Sequence, residues 1–228
     1  MPFYLRPSAP TAADALICGD PARALTIAQH VMVQPRMSNH NRGLWGYYGE
    51  APSGRPLTVQ ATGIGAPSAV AVLAESADLG VTRVVRVGTC AAVGRRLWKL
   101  GAGVVVSAAE TADGASRALG ADGEARADPG LTAALGSGGL PAATVSSSDL
   151  LPGEGAAAAG AAPGLHDLQT AAVLTLARRL GLTAAAALVV RSLDGRRLED
   201  EPLDAALLRL ADAAVAALEA TASGRSRP

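Results

Sequence analysis

An arginine in the first turn of a predicted helix is the first feature of this chain that suggests a chemical role. Residues 15–18 form a short apolar run typical of a buried strand, and residues 19–24 read GDPARA. Asp20 suits an N-cap and Pro21 the first helical position, so Arg23 falls beside the positive end of the helix dipole. An anion between this arginine and the free N–H groups would make the placement favourable, and phosphate is the obvious candidate. A surface arginine whose stem packs on the helix explains the segment equally well.

A second segment favours the anion. It reads RVVRVGTC at 83–90, a β-branched strand with a charged interior residue that ends in glycine and threonine. Open α/β sheets bind ligands at the carboxyl ends of their strands, where Arg86 would supply a fork of donors and Thr89 a hydroxyl. Upstream, TGIGAPS at 62–68 follows a predicted strand and opens a helix. Such a glycine-rich turn lets the backbone approach a ligand, although alone it is a weak signal.

Together these segments resemble the nucleoside phosphorylase family, which includes the hexameric purine nucleoside phosphorylases and the uridine phosphorylases. The resemblance runs from about residue 16 to residue 218 and is strongest over the first half. Four motifs carry it in order: GDPAR at 19–23, NRG at 41–43, TGIGAPS at 62–68 and RVGTC at 86–90.

The subfamily stays open. DGAS at 113–116 and SSSD at 146–149 look more like the uridine phosphorylases, whereas RGLWGY at 42–47 looks more like the purine enzymes. The resemblance also implies a homodimer or a homohexamer built as a trimer of dimers.

The resemblance implies a phosphate site made of Gly19, Arg23, Arg86 and Thr89 in one subunit. Arg42 would reach the same phosphate from a neighbouring subunit. In phosphorolysis a phosphate oxygen attacks the anomeric carbon of an oxocarbenium-like sugar, so a polyanion must be held beneath a developing cation. Arginines grip phosphate oxygens in a bidentate manner, and Arg86 is also expected to act catalytically.

Ribose recognition departs from the family pattern. The family places a Glu-Met-Glu type segment at the start of a helix, and its second glutamate holds the ribose hydroxyls. Here residues 166–170 read HDLQT, so Gln169 stands where that glutamate belongs. The resemblance implies that Asp167, Leu168, Gln169 and Ser148 bind ribose and base. Losing one charge-assisted hydrogen bond would cost about 2 kcal/mol; Asp167 fits a helix N-cap as well.

Base recognition departs too. Purine members end a later strand with Ser-Asp, whereas residues 191–195 here read RSLDG. Asp194 is a catalytic candidate only if the backbone shifts by two residues, and Asp194-Gly195 also fits an ordinary turn. Uridine phosphorylases read the pyrimidine with glutamine and arginine from a long loop, and the corresponding residues here, 151–164, are alanine-rich and contain neither.

The expected function is that of a pentosyltransferase in nucleoside catabolism and nucleotide salvage. It would cleave a purine or pyrimidine nucleoside with phosphate to a free base and ribose or deoxyribose 1-phosphate, without metal or organic cofactor. A nucleosidase of the same superfamily needs no phosphate site, so the retained arginines argue against hydrolysis. A non-catalytic member that binds phosphate or nucleoside is the other alternative, favoured by Gln169 and the missing Ser-Asp pair.

Composition sets the remaining expectations. The 228 residues are 49% hydrophobic with zero formal net charge, which indicates neither a nucleic acid nor an anionic membrane as partner. No apolar run approaches the roughly 20 residues that span a bilayer, so the cytoplasm is expected. Cys18 and Cys90 are expected to be buried, reduced thiols, and the three scattered histidines suggest no metal.

Alternating strands and helices predict an α/β fold, a three-layer α/β/α sandwich around a mixed central sheet. One domain is expected over residues 1–222, with a disordered tail at 223–228. Strands are predicted at 15–18, 57–61, 84–88, 103–108, 142–146 and 184–190.

Overall fold

A mixed sheet flanked by two groups of helices forms the centre of the molecule. The computed structural model describes residues 2–94, 98–150 and 164–222. Its strands are β1 Asp14–Cys18, β2 Val33–Asn39, β3 Gly46–Glu50, β4 Pro56–Ala61, β5 Arg83–Val93, β6 Gly103–Thr111, β7 Glu124–Arg126, β8 Ala142–Ser147, β9 Gly164–Asp167, β10 Thr183–Leu193 and β11 Arg196–Arg197. Its α-helices are α1 Pro21–Val31, α2 Ala66–Asp78, α3 Gly114–Ala118, α4 Pro129–Gly136, α5 Thr170–Leu180 and α6 Asp200–Ala222.

The helices form one group on each side of the sheet. Helices α2, α3 and α5 contact one another, and α1, α4 and α6 form the second group. This is the expected three-layer α/β/α arrangement. The division into one domain over residues 1–222 stays a prediction, and the predicted tail at 223–228 lies outside the described residues.

The sheet order brings four strand ends to one edge. Strands run in the order β11-β10-β6-β8-β9-β5-β1-β4-β3-β2, and β5 also pairs with β10, which closes five strands into a circuit. Strands β10, β5, β1 and β4 are parallel neighbours. Their carboxyl ends therefore meet at one edge, where α/β proteins bind their ligands.

All six predicted strands form, and three of them, β5, β6 and β10, extend three or more residues beyond the predicted end. Strand β5 continues past residue 88 because its last residues pair with β9, and β10 continues past residue 190 beside them. The short strands β2, β3, β7, β9 and β11 were not predicted. Strands β2, β3 and β11 form hairpins with the strands next to them in the sequence, whereas β9 pairs with the distant β5. Such pairing partners are not visible in a local hydrophobic pattern.

The last helix closes the core behind this edge. Its stripe at i, i+4, i+7, i+11 and i+15 is buried, and Asp200 and Glu201 occupy its first turn, where acidic residues complement the helix dipole. The stripe consists of Leu203, Leu207, Leu210, Ala214 and Leu218. No helix within the described ranges is both long and apolar enough to cross a membrane.

Candidate active site

A cavity of about 440 Å³ opens at the edge where the parallel strands end. Three arginines and two aspartates are among the residues that line it, so its walls carry an excess of positive charge. Seven of the predicted site residues line it: Gly19, Arg23, Arg86, Thr89, Asp167, Leu168 and Gln169. Arg42, Ser148 and Asp194 do not belong to its lining.

The first turn of α1 has the predicted local structure. Asp20 is the N-cap, and its Oδ1 accepts a hydrogen bond from the N–H of Arg23 at 3.1 Å. Pro21 occupies the first helical position. Within the described ranges the guanidinium of Arg23 has no carboxylate partner. Its positive charge stands at a helix N-terminus, where a nearby anion would be favourable.

Arg86 is held rigidly in the wall of the cavity. Its side chain is 6% exposed, and Nη2 donates to Oδ2 of Asp167 at 2.9 Å. Nε donates to Oγ1 of Thr170 at 3.2 Å. A Cβ on residue 88 would lie 2.7 Å from the Arg86 Cζ, so Gly88 provides the space that the guanidinium occupies. The remaining N–H groups of Arg86 stay available to a ligand.

Asp167 organises the start of α5. It accepts hydrogen bonds from the hydroxyls of Ser147 and Thr170, both at 2.5 Å, and from the Thr170 N–H at 3.1 Å. The N-cap residue of α5 is Gln169, which makes no side-chain cap bond, so the alternative of Asp167 as the N-cap is wrong. Asp167 instead holds the N–H of the first helical residue from two positions before the cap. Together with the bond from Arg86, these bonds occupy both oxygens of the Asp167 carboxylate. The role of Asp167 in this structure is therefore to hold Arg86 in place.

Gln169 locks the glycine-rich turn. Its side chain is buried, and Nε2 donates to the carbonyl oxygens of Gly63 at 2.7 Å and Gly65 at 3.0 Å. Both glycines have left-handed backbone conformations, with φ of 74° and 81°. Both N–H bonds of the amide are thus used on the turn. A glutamate could not make either bond, because an ionised carboxylate only accepts.

Arg42 lies outside the cavity, in a one-turn 3₁₀ helix at Asn41–Gly43. Its backbone is left-handed, with φ of 57°, and its Cζ lies 5.5 Å from the centre of the Tyr4 ring. Tyr4 is fixed in turn, because Glu75 accepts its N–H at 2.9 Å and Asn41 donates to its carbonyl oxygen at 2.7 Å. No local pattern in the sequence indicates this support, which joins residues about 70 positions apart.

Ser148 and Asp194 make local bonds. The Ser148 hydroxyl donates to the Leu150 carbonyl oxygen at 2.6 Å. Asp194 has φ of 47° in the turn between β10 and β11, and its Oδ1 accepts from the Gly94 N–H at 2.9 Å. The alternative of an ordinary turn at Asp194-Gly195 is confirmed. Most of the loop discussed above, residues 151–163, lies outside the described residues.

The two cysteines are buried thiols, as predicted. Cys18 lines the cavity, and burial raises its pKa to about 12. Burial also raises the pKa of Cys90. Both are protonated at neutral pH, which excludes a thiolate nucleophile. Among the described residues no cluster of His, Cys, Asp or Glu has the makings of a metal site.

A sequence model of the phosphorylase superfamily matches residues 14–160. The chain belongs to the phosphorylase superfamily. The match covers the motifs around Arg23, Arg42 and Arg86 and ends before the segment at 166–170. The predicted resemblance to the nucleoside phosphorylases is thereby confirmed.

Curated relatives in this superfamily match part of the chain. A DeoD-type purine nucleoside phosphorylase of Oceanobacillus iheyensis is 42% identical over 81 residues, which are 34% of this chain and 33% of the relative. One of Alkaliphilus metalliredigens is 39% identical over 79 residues, 34% of each protein. The chain therefore matches about a third of the length of these relatives.

The fold has a solved counterpart over nearly its whole length. The crystal structure of uridine phosphorylase from Vibrio fischeri ES114 superposes with a TM-score of 0.78. The alignment covers 92% of this chain and 93% of that one at 22% identity. It establishes a nucleoside phosphorylase-like fold.

Proposed function

We propose that this chain is a nucleoside phosphorylase that transfers a pentosyl group from a nucleoside to inorganic phosphate. The observation that carries the proposal is the pair Arg23 and Arg86 in one cavity. Arg86 is immobilised by Asp167, and Arg23 stands without a carboxylate partner in the described part of the chain. Phosphate is the anion that fits two guanidinium groups beside a helix N-terminus.

Phosphate would lie among Gly19, Arg23, Arg86 and Thr89. One of its oxygens attacks the anomeric carbon while the bond from that carbon to the base nitrogen breaks, and the products are a free base and ribose 1-phosphate. The arginines hold the nucleophile in line and keep its charge close to the developing sugar cation. No cofactor other than the phosphate co-substrate is part of this scheme.

Ribose and base would occupy the rest of the cavity. Asp167, Leu168 and Gln169 border it, and Ser148 follows the neighbouring strand β8. Arg42 would serve the cavity of a second copy, which makes a homodimer or homohexamer part of the proposal. Its placement outside its own cavity and its contact with Tyr4 support this role. The cytoplasmic location stays a prediction of the sequence.

A non-catalytic binding protein is the second candidate, and Gln169 favours it. Both N–H bonds of this amide are spent on the turn at Gly63 and Gly65. Its oxygen accepts from the hydroxyl of Thr62 at 3.4 Å, so one acceptor position of that oxygen is all that is left for a ribose hydroxyl. Such a protein would bind phosphate in the cavity and release no base.

Base release from purine and pyrimidine nucleosides, with and without inorganic phosphate, tests the proposal. Phosphate-dependent release of a base together with ribose 1-phosphate is the expected result. Arg23→Gln should weaken the dependence on phosphate, whereas Arg178→Gln, a change of an exposed arginine at the far end of α5, should not. Release that ignores phosphate would indicate a nucleosidase. Phosphate binding without release from any nucleoside would favour the binding protein.

A further inference from the structure

Arg42 has a backbone conformation that its residue type disfavours. It lies in the one-turn helix Asn41–Gly43 with φ of 57° and ψ of 20°. The left-handed region is unfavourable for a residue with a Cβ, and residues that are held there concentrate at functional sites. Arg42 is also exposed, and within the described ranges no carboxylate pairs with its guanidinium. Ordering so long a side chain costs entropy, so a site that uses Arg42 needs a contact that holds it.

The aromatic ring of Tyr4 supplies that contact. The Cζ of Arg42 lies 5.5 Å from the centre of this ring, within the range of a cation–π interaction. Phe3 meets the same ring at an interplanar angle of 85°, with 5.0 Å between the two ring centres. Such edge-to-face contacts restrict the orientation of a ring, so the surface offered to Arg42 is fixed.

The backbone that carries the Tyr4 ring is anchored to α2. The Glu75 carboxylate accepts the N–H groups of residues 3–5 at 2.6 to 2.9 Å. Asn41 donates to the Tyr4 carbonyl oxygen at 2.7 Å, which joins Tyr4 to the turn that carries Arg42. Ring and guanidinium therefore start from two backbone segments that are fixed relative to each other.

An aromatic ring holds an arginine differently from a carboxylate. Arg86 is held by Asp167, which takes up part of its N–H groups and offsets its charge. A ring attracts the face of a guanidinium and leaves the N–H donors in its plane free. Arg42 thus keeps its full charge and its donors for an anion while its position is restricted.

We propose that Tyr4 is a positioning residue, which holds Arg42 in the orientation that reaches the phosphate site of a second copy of this chain. The inference rests on the proposed function, in which Arg42 serves that site. Tyr4 touches neither phosphate nor nucleoside in this role. It acts only through Arg42, so a change at Tyr4 in one copy alters phosphate binding in the other.

Replacing the ring tests the contact. Tyr4→Leu should raise the KM for phosphate about 2- to 5-fold, which corresponds to one exposed cation–π interaction. The kcat should change less, because saturating phosphate draws Arg42 into the site. Tyr4→Phe keeps an aromatic face and should retain the wild-type KM. Tyr48→Leu removes the similar contact of the Tyr48 ring with Arg36, at 5.9 Å, and serves as the matched control with an unchanged KM.

Calorimetric titration with inorganic phosphate supplies a readout that needs no turnover. The affinity for phosphate should be lower in Tyr4→Leu than in the wild type, Tyr4→Phe and Tyr48→Leu. Thermal unfolding of each variant shows whether the fold is retained.

Mixed oligomers show in which cavity Tyr4 acts. Co-expression of Tyr4→Leu with a large excess of Arg86→Ala confines turnover to Tyr4→Leu cavities, each of which receives Arg42 from a chain with an intact Tyr4. The KM for phosphate should then return to the wild-type value. An excess of a chain that carries both changes should leave the KM raised. Recovery in the first mixture excludes a general loss of structure in Tyr4→Leu as the cause.

Three results would overturn the role of Tyr4: a KM for phosphate that Tyr4→Leu leaves unchanged, a KM that rises equally in Tyr4→Phe, or no recovery in the first mixture. Failure of the wild type to release base from any nucleoside in the presence of phosphate would instead refute the proposed function. The phosphate affinities from calorimetry would still test Tyr4 in that case.

Discussion

Replacing Gln169 with glutamate separates two roles for this residue. If it binds ribose, as the family pattern implies, glutamate should improve the site by supplying a charge. In the structure its amide instead donates to the carbonyl oxygens of Gly63 and Gly65, at 2.7 and 3.0 Å. Gln169 is 3% exposed, so a carboxylate there would face two carbonyl oxygens away from water. We therefore expect Gln169→Glu to loosen the turn.

The magnitude follows from the bonds that are lost. Gly65 keeps the N–H of Ala69 and Gly63 keeps the hydroxyl of Thr62 as donors, so each lost bond costs about 0.5–1.5 kcal/mol and the two together up to about 3 kcal/mol. In a chain of this length 1 kcal/mol shifts the melting temperature by about 2–4 °C, and a loss near 3 kcal/mol lowers it by about 6–12 °C. Burial disfavours the ionised carboxylate and raises the pKa of the new side chain in the folded state. The loss of folding stability therefore grows as pH rises above the pKa that this glutamate has in the unfolded chain.

Thermal unfolding and phosphate-dependent turnover measure the two roles side by side. Gln29→Glu, a change of the same chemistry on an exposed face of α1, serves as the control and should leave both quantities unchanged. The loop-holding role predicts lower stability and lower turnover for Gln169→Glu. A variant with unchanged stability and faster turnover would refute it and return Gln169 to ribose binding.

Three further changes test other parts of the site. Gly88→Ala should lower phosphate-dependent kcat/KM about 10- to 100-fold, because the new Cβ displaces the guanidinium of Arg86. Gly136→Ala, with open space around the new Cβ, should leave kcat/KM unchanged, and an equal decrease in both variants would contradict the packing argument. Burial acts to raise the pKa of Glu75, but three backbone N–H donors together lower it below the usual 4.5. The stability that ionised Glu75 gives the N-terminal segment is present above that value and is lost as pH falls through the lower pKa of the folded state. Proteolysis of this segment should therefore become faster on acidification, and in Glu75→Gln it should be fast already at neutral pH. A rate of proteolysis that does not depend on pH would refute this. Arg42→Ala and Arg86→Ala should each be inactive and recover activity when mixed as hetero-oligomers, and a fully active isolated monomer would contradict a shared site.

The sequence predicted those parts of the site that depend on interactions between neighbouring residues. Asp20 and Pro21 start α1 by capping rules that involve neighbouring residues only, and they fix Arg23. The motif around Arg86 likewise predicted a charged residue near a strand end. Its partner was not predictable, because Asp167 lies 81 residues further on and reaches Arg86 through the pairing of β9 with β5.

What the sequence did not indicate depends on non-local pairing. The amide of Gln169 was interpreted as a weakened glutamate, since no local pattern shows the two carbonyl oxygens that lie more than 100 residues away. Arg191 lines the cavity from a register shift of β10 against β5, and no local pattern indicates this placement because such a shift is a property of two paired strands. Residue type was visible in both cases, and the surroundings were not.

The carboxylates of the cavity indicate how the proposed reaction would distribute its charges. Asp20 caps α1 and Asp167 is saturated, so neither is free to stabilise a sugar cation, and Gln169 contributes no charge. Under the proposed function the counter-charge to the cation must come from the phosphate itself, held by Arg23 and Arg86.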